Sequence, residues 1–202
     1  MVLDVSSEYI KNITKNSYGT TALSYERNTI NLDMSELIET LCARVPSGTI
    51  LDIGFGHGRD LNVFENKGYS VIGIEITPEF IPIARKRSRG ILELFDVTQG
   101  PYLKHPINGI WSCGAFHHFP RKTIEETTYN LFTTLQHSGS LCVSTKKGTA
   151  EELSPDTRYG GVIKYWSFYT KDQLFSIFKN AGFDNIDIDE DEKWLTVLAD
   201  KV

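Results

Sequence analysis

Three carboxylates and three glycines have the types and spacing of a ligand site. Asp52 stands just before Gly54-Phe55-Gly56-His57-Gly58, and Glu75 follows 21 positions after Gly54. Asp96 lies within Phe95-Asp96-Val97. Each acid sits at the end of a short apolar run. Glycine weakens any strand or helix that it interrupts. Three so close together mark backbone that must approach something with no side chain between.

The spacing argues against two phosphate-binding loops. A dinucleotide fingerprint wants G-x-G-x-x-G, but Arg59 occupies the third-glycine position. So large a side chain opposes close helix–strand packing over a pyrophosphate. A P-loop ends in Gly-Lys-Ser/Thr, which is absent. The loop therefore suits a nucleoside-like ligand without phosphates. Glu75, ending the second strand, can accept both hydroxyls of a ribose. Asp96 can accept from an exocyclic amine such as adenine N6, and Asp52 can hold an amino or cationic group. An amine, a ribose diol, an adenine and no phosphate describe S-adenosylmethionine. Taken singly, strand-end acids also cap helices or bind loop amides; the combination with the glycines carries the reading.

Alternating strands and helices must position these residues. Short apolar runs predict strands over Thr49–Ile53, Ser70–Ile74, Ile91–Phe95, Gly109–Cys113 and Ser140–Ser144. Helical patterns run over Asp33–Val45, Arg59–Lys67, Lys122–Gln136 and Lys171–Ala181, with a further helix from Pro78, capped by Thr77, to about Arg87. This alternation implies a mostly parallel sheet covered on both faces. Phe183–Asp189 and Trp194–Ala199 are joined by the short acidic turn Glu190–Lys193, which demands an antiparallel hairpin. The expected fold is α/β, a doubly wound, mostly parallel seven-stranded sheet with one reversed strand near its C-terminal edge. The whole chain reads as a single domain. Residues 1–32 form an N-terminal cap, 33–144 a cofactor-binding core, 145–169 a long functional connection, and 170–202 a C-terminal helix and hairpin.

Composition bounds the setting. The 202 residues are 40% hydrophobic and 23% charged, ordinary for a globular protein, and the net charge of −5 carries no basic nucleic-acid footprint. Cys42, Cys113 and Cys142 lack metal-ligand spacing and read as small fillers in a reducing compartment. The N-terminus has no signal-peptide pattern, and no window approaches a membrane span. A cytoplasmic protein is expected, with no membrane partner and no metal.

From about Tyr18 to the C-terminus the sequence resembles the class I S-adenosylmethionine-dependent methyltransferase family. "ILDIGFGHGRDL", "YSVIGIEITPEFIPIARKR", "LFDV", "GIWSCGAFHHFP", "SGSLCVSTKKG" and "YTKDQLFSIFKNAGF" are similar to six of its motifs, in order. The resemblance implies that Asp52, Gly54, Gly56 and Gly58, with Arg59, surround the methionine part of the cofactor. It places Glu75 and Ile76 at the ribose, Asp96 and Val97 at the adenine, and Cys113 beneath the sulfonium. "ALSYERN" resembles an element that folds over the cofactor, with Tyr25 near the methyl group and Tyr18 beside it. His57 is expected to be solvent-exposed.

Methyl transfer is an in-line displacement that needs an aimed nucleophile and, for a protonated acceptor, a base. His117 and His118 follow the fourth strand, and at most one is expected to face the site. The family register selects His118, either as general base or as a structural histidine. In the connection, Tyr159, Tyr165, Trp166, Phe168 and Tyr169 can form a wall for a flat acceptor. Arg158, Lys146, Lys147 and Lys164 can bind a carboxylate or phosphate. An acceptor oxygen or nitrogen on a small molecule ranks first, a wobble-uridine-type tRNA or other macromolecule second, and an inactive scaffold third. A monomer or homodimer is expected. A small-molecule enzyme should show an aromatic pocket beneath residues 1–32.

Overall fold

The computed structural model describes residues 5–202; residues 1–4 of the expected cap lie outside the described residues. The chain runs α1 (Ser7–Thr29), α2 (Ser35–Arg44), β1 (Thr49–Ile53), α3 (Arg59–Asn66), β2 (Ser70–Glu75), α4 (Phe80–Ala84), β3 (Ile91–Leu94) and β4 (Ile107–Cys113). It continues through α5 (Ile124–Thr134), β5 (Leu135–Lys146), β6 (Glu151–Asp156), β7 (Val162–Ser167), α6 (Lys171–Asn180), β8 (Asp184–Glu190) and β9 (Trp194–Asp200).

Seven strands form one sheet in the order β3-β2-β1-β4-β5-β9-β8. The first five pair in parallel, and β9 is antiparallel to both neighbours, the single reversed strand expected. Alternation along each strand divides the core. Leu51, Ile53 and Ile110 pack on one face with Leu131 and Phe178 of the α5–α6 side. Ile50 and Trp111 pack on the other with Ile38, Leu41 and Phe64 of α2 and α3. The same period of two puts Asp52, Glu75 and Cys113 on the α2–α3 face, at the carboxyl ends of three adjacent strands.

The cap is one 23-residue helix, α1, whose Ser6 accepts a hydrogen bond from Tyr9 N at 3.2 Å. It runs past the carboxyl ends of the parallel strands and packs on β7, where Ser17 donates to the Ile163 carbonyl. The connection 145–169 is not an irregular loop. It contains a separate antiparallel hairpin, β6–β7, closed through Gly160 and Gly161 at φ of 73° and 78°. The helix predicted from Pro78 is a short α4 with no side-chain cap; Thr77 instead accepts Phe80 N through its carbonyl. Pro82 has no N–H for a regular bond back to Pro78.

All three loop glycines have positive φ, 71° at Gly54, 54° at Gly56 and 82° at Gly58. A Cβ on Gly58 would lie 2.8 Å from Ala84 Cβ and 3.0 Å from its Cα. Gly58 thus lets α4 close on the start of α3. Gly58→Ala combines backbone strain with overpacking and is expected to destabilise the fold by about 3 kcal/mol. A thermal melt indistinguishable from wild type would refute the close approach.

Candidate active site

A cleft opens at the carboxyl ends of β1, β2 and β4, with about 730 Å³ of empty space including its mouth. Gly54 and Gly56, Glu75 and Ile76, Asp96 and Val97, and Cys113 and His118 all line it. Tyr18 and Tyr25 cover it from α1. Phe80, Phe95, Phe119 and Pro120 add apolar walls that sequence reasoning missed. They lie in segments whose apolar character signals only core.

Glu75 clasps the glycine loop. Its Oε2 accepts Gly56 N at 3.2 Å, and its Oε1 accepts Ile76 N and Thr77 N at 2.8 and 2.9 Å. Burial pushes its carboxyl up, and these backbone donors oppose the rise. Asp96 is more occupied than expected. It accepts from Lys11 at 2.8 Å, from Gln99 at 3.1 Å, and from the backbone and hydroxyl of Thr98 at 3.0 and 2.6 Å. These bonds outweigh burial and hold its carboxyl below the usual range. Lys11 had given no signal in sequence, since its partner lies 85 positions away.

Asp52 lies in a niche beside the cleft, lined also by Gly54, Gly56, Arg59, Asp60 and Cys113. Burial, then Asp60, pushes its carboxyl well up. Arg59 is committed to Asp60, with bonds of 2.6 and 2.8 Å, and also donates to the Thr29 carbonyl at 3.1 Å. Asp52 is thus an acid with no cation of its own, and an ammonium group seated beside it would favour its charged form. Positive-φ glycines, an acid at the end of β2 and this niche together fit S-adenosylmethionine. Gly58 lies outside both niche and cleft.

His118 has a defined tautomer. Its Nδ1 lies 2.7 Å from the Tyr165 carbonyl, which can only accept, so Nδ1 carries the proton. Nε2 is then an acceptor, and the Tyr18 hydroxyl donates to it at 2.9 Å. Burial lowers the His118 pKa to about 3 and pushes the Tyr18 phenol well up.

A second cavity adjoins the cleft and shares Tyr18, Tyr25, Cys113 and Gly114 with it. Its remaining walls include His117, Ser144, Lys146, Arg158, Tyr159, Trp166 and Trp194. The expectation that only one histidine faces the site does not hold. Phe116–His118 form a 3₁₀ turn rather than extended chain, so the two rings fan out, 4.3 Å apart, toward different cavities. His117 stacks on Trp166 at 5.4 Å and 13°. Trp194, also missed by the sequence reading, contacts His117 edge-on.

Other expected wall residues point elsewhere. Tyr165 is fully buried, donates to Glu151 at 2.8 Å and accepts from Arg121 N at 2.9 Å; it lines neither cavity. Tyr169 is also core. Lys164 is buried rather than free, 3.2 Å from Asp156 and 3.8 Å above the Tyr18 ring. His57 is buried as well, covered by α1, with Nε2 2.9 Å from the Thr29 hydroxyl. The packing of α1 over the glycine loop replaces the solvent expected there.

The buried histidines set an acid sensitivity. Burial lowers His57 to about 4, His118 to about 3, and His117 well below its ordinary 6.5. Below pH 6.5 the unfolded chain takes up protons that the folded chain refuses, so their stability contribution falls with pH. His118 should cost about 2 kcal/mol by pH 5 and His57 up to about that much, with His117 acting in the same direction. His57→Gln, which retains a donor toward Thr29, should therefore lose less melting temperature than wild type between pH 7 and 5. Parallel losses would contradict the neutral, buried state.

The sheet order, the reversed β9 and the glycine cleft define the class I methyltransferase fold. The chain belongs to the S-adenosylmethionine-dependent methyltransferase-domain family, which matches residues 25–188. An uncharacterized methyltransferase of Oceanobacillus iheyensis is 33% identical over 107 residues, 52% of this chain and 48% of that protein. The 18S rRNA (guanine-N(7))-methyltransferase of Schizosaccharomyces pombe is 35% identical over 99 residues, 45% of this chain and 37% of its own length. The chain thus matches about half or less of these curated relatives. The fold matches that of the Burkholderia thailandensis 1,6-didemethyltoxoflavin-N1-methyltransferase, solved with its acceptor and S-adenosylhomocysteine. That match has a TM-score of 0.78 at 16% identity and covers 100% of this chain and 93% of that one. Among the described residues, no helix is long and apolar enough to cross a membrane.

Proposed function

We propose that this chain catalyses methyl transfer from S-adenosylmethionine to an oxygen or nitrogen of a small molecule. The observation that carries this reading is the continuity of the donor cleft with an aromatic chamber walled by α1 and the β6–β7 hairpin. Bound in the cleft, S-adenosylmethionine supplies an electrophilic methyl group on a sulfonium. Asp52 would hold its ammonium group, Glu75 its ribose hydroxyls, and Val97 and Phe95 the adenine ring. Asp96, already ordered by Lys11 and Thr98, would shape the adenine end. Tyr18 and Tyr25 occupy the junction of the two cavities, where they exclude water and orient the acceptor. His118 fixes the Tyr18 hydroxyl.

The Burkholderia enzyme, solved with bound 1,6-didemethyltoxoflavin, supports a small-molecule substrate. The yeast rRNA enzyme represents the competing macromolecular class. Calorimetric titration with S-adenosylhomocysteine should give micromolar binding; its absence from folded protein would overturn the donor site. Incubation with methyl-labelled S-adenosylmethionine should then place label in a low-molecular-weight extract. Label found only in RNA would replace the small-molecule reading with the macromolecular one.

A further inference from the structure

The chamber is positively charged in a chain that is acidic overall. Arg59, Lys146 and Arg158 line it, and no Asp or Glu among the described residues does. Yet the sequence holds 26 acidic residues against 21 basic ones. Arg59 is neutralised from behind by Asp60. The other two cations are not fully answered. Asp156 serves both Arg158, at 2.9 Å, and the buried Lys164, at 3.2 Å, so one carboxylate faces two cations. Lys146 makes no ion pair or side-chain hydrogen bond with any described residue. Its Nζ sits 3.7 Å from the centre of the Trp194 ring. Burial, then Arg158 and Lys193, lowers its pKa, and the carboxylates of Asp191 and Asp156, neither within ion-pair distance, oppose that shift only in part.

Flat surfaces stand beside these cations. Trp166 and His117 are nearly parallel, and Tyr159 continues the wall toward Tyr25, with ring centres 5.9 Å apart. Rings recognise a planar partner by stacking, and unanswered cations recognise an anion.

We infer that the methyl acceptor is a planar ring compound bearing a negatively charged group, with the charge seated against Lys146 and Arg158 and the ring against Trp166 and Tyr159. This rests on the methyl-transfer reading and narrows its substrate class. A neutral or cationic acceptor covering the half-buried Lys146 would cost it solvent without supplying an ion-pair partner. An anion relieves that cost and brings the ring toward Tyr18 and Tyr25, where the two cavities join.

The test uses matched probes and full-length protein saturated with S-adenosylhomocysteine. Indole-2-carboxylate, quinoline-2-carboxylate and 1-naphthoate are titrated calorimetrically against their primary amides. At least one carboxylate should bind about tenfold or more tightly than its amide. Lys146→Gln should reduce that preference to about twofold or less, and Arg158→Gln should weaken it, while both variants still bind S-adenosylhomocysteine. Equal binding of acids and amides, no binding by any carboxylate, or a preference that survives both substitutions would overturn the inference. Failure to bind S-adenosylhomocysteine would instead strike the methyl-transfer reading, and a Lys146-dependent carboxylate preference in that protein would still support the anion site.

Discussion

Glu75→Ala is expected to weaken S-adenosylhomocysteine binding by about 100-fold or more, near 3 kcal/mol, in a calorimetric titration. Two effects act together. The carboxylate holds the Gly56 amide at 3.2 Å and so fixes the glycine loop against the end of β2. It also stands where a ribose diol would donate, and hydrogen bonds to a charged acceptor contribute about 1.5–3 kcal/mol each. Glu75→Gln should fall between alanine and wild type. Its carbonyl can still accept Ile76 N and Thr77 N, but its amide would place a donor against the Gly56 donor. The two effects separate with the 2′-deoxy analogue of S-adenosylhomocysteine. In wild type, loss of the hydroxyl should weaken binding; in Glu75→Ala it should make little further difference. Wild-type affinity in Glu75→Ala, or an equal penalty for the analogue in both proteins, would remove Glu75 from the ribose.

The parts of this site that sequence revealed are those written in local pattern. β1 matches its expected bounds because a strand buried on both faces reads as an unbroken apolar run. The acids stand out because each interrupts such a run. α1 was legible only as a cap. Its inward positions include Thr14, Ser17 and Thr21, so the buried face carries hydroxyls instead of an apolar stripe. The β6–β7 hairpin did leave a signal, Gly160-Gly161 before a strand-like Val162–Ser167, but the length of the connection outweighed it. Lys164 and Tyr165 were misjudged because their partners, Asp156 and Glu151, lie across the hairpin. Only the register decides which side chains of that segment meet the chamber. Trp194 joins the same wall from β9, far along the sequence, with nothing local to announce it.

The largest effect expected on turnover lies at the Tyr18–His118 pair. The sequence left His118 open as a general base or a structural histidine. The geometry favours the second, a positioning part. Its Nδ1 proton is committed to the Tyr165 carbonyl at 2.7 Å, its Nε2 accepts from Tyr18 at 2.9 Å, and burial lowers its pKa to about 3. A histidine so reluctant to take a proton is a poor base at neutral pH but a fixed acceptor for the phenol above the cleft. With an acceptor identified, His118→Gln and Tyr18→Phe should each lower kcat by about 10- to 100-fold through misplacement of the junction. The double variant should lose little more than the worse single one, because both changes break the same contact. For a positioning role, kcat in wild type should show no limb between pH 5.5 and 8 that disappears in His118→Gln. Such a limb would restore His118 as the base, since only a group that titrates during turnover can produce it. Additive losses would mean instead that Tyr18 and His118 act on the reaction separately and that the hydrogen bond between them does not set the geometry of transfer.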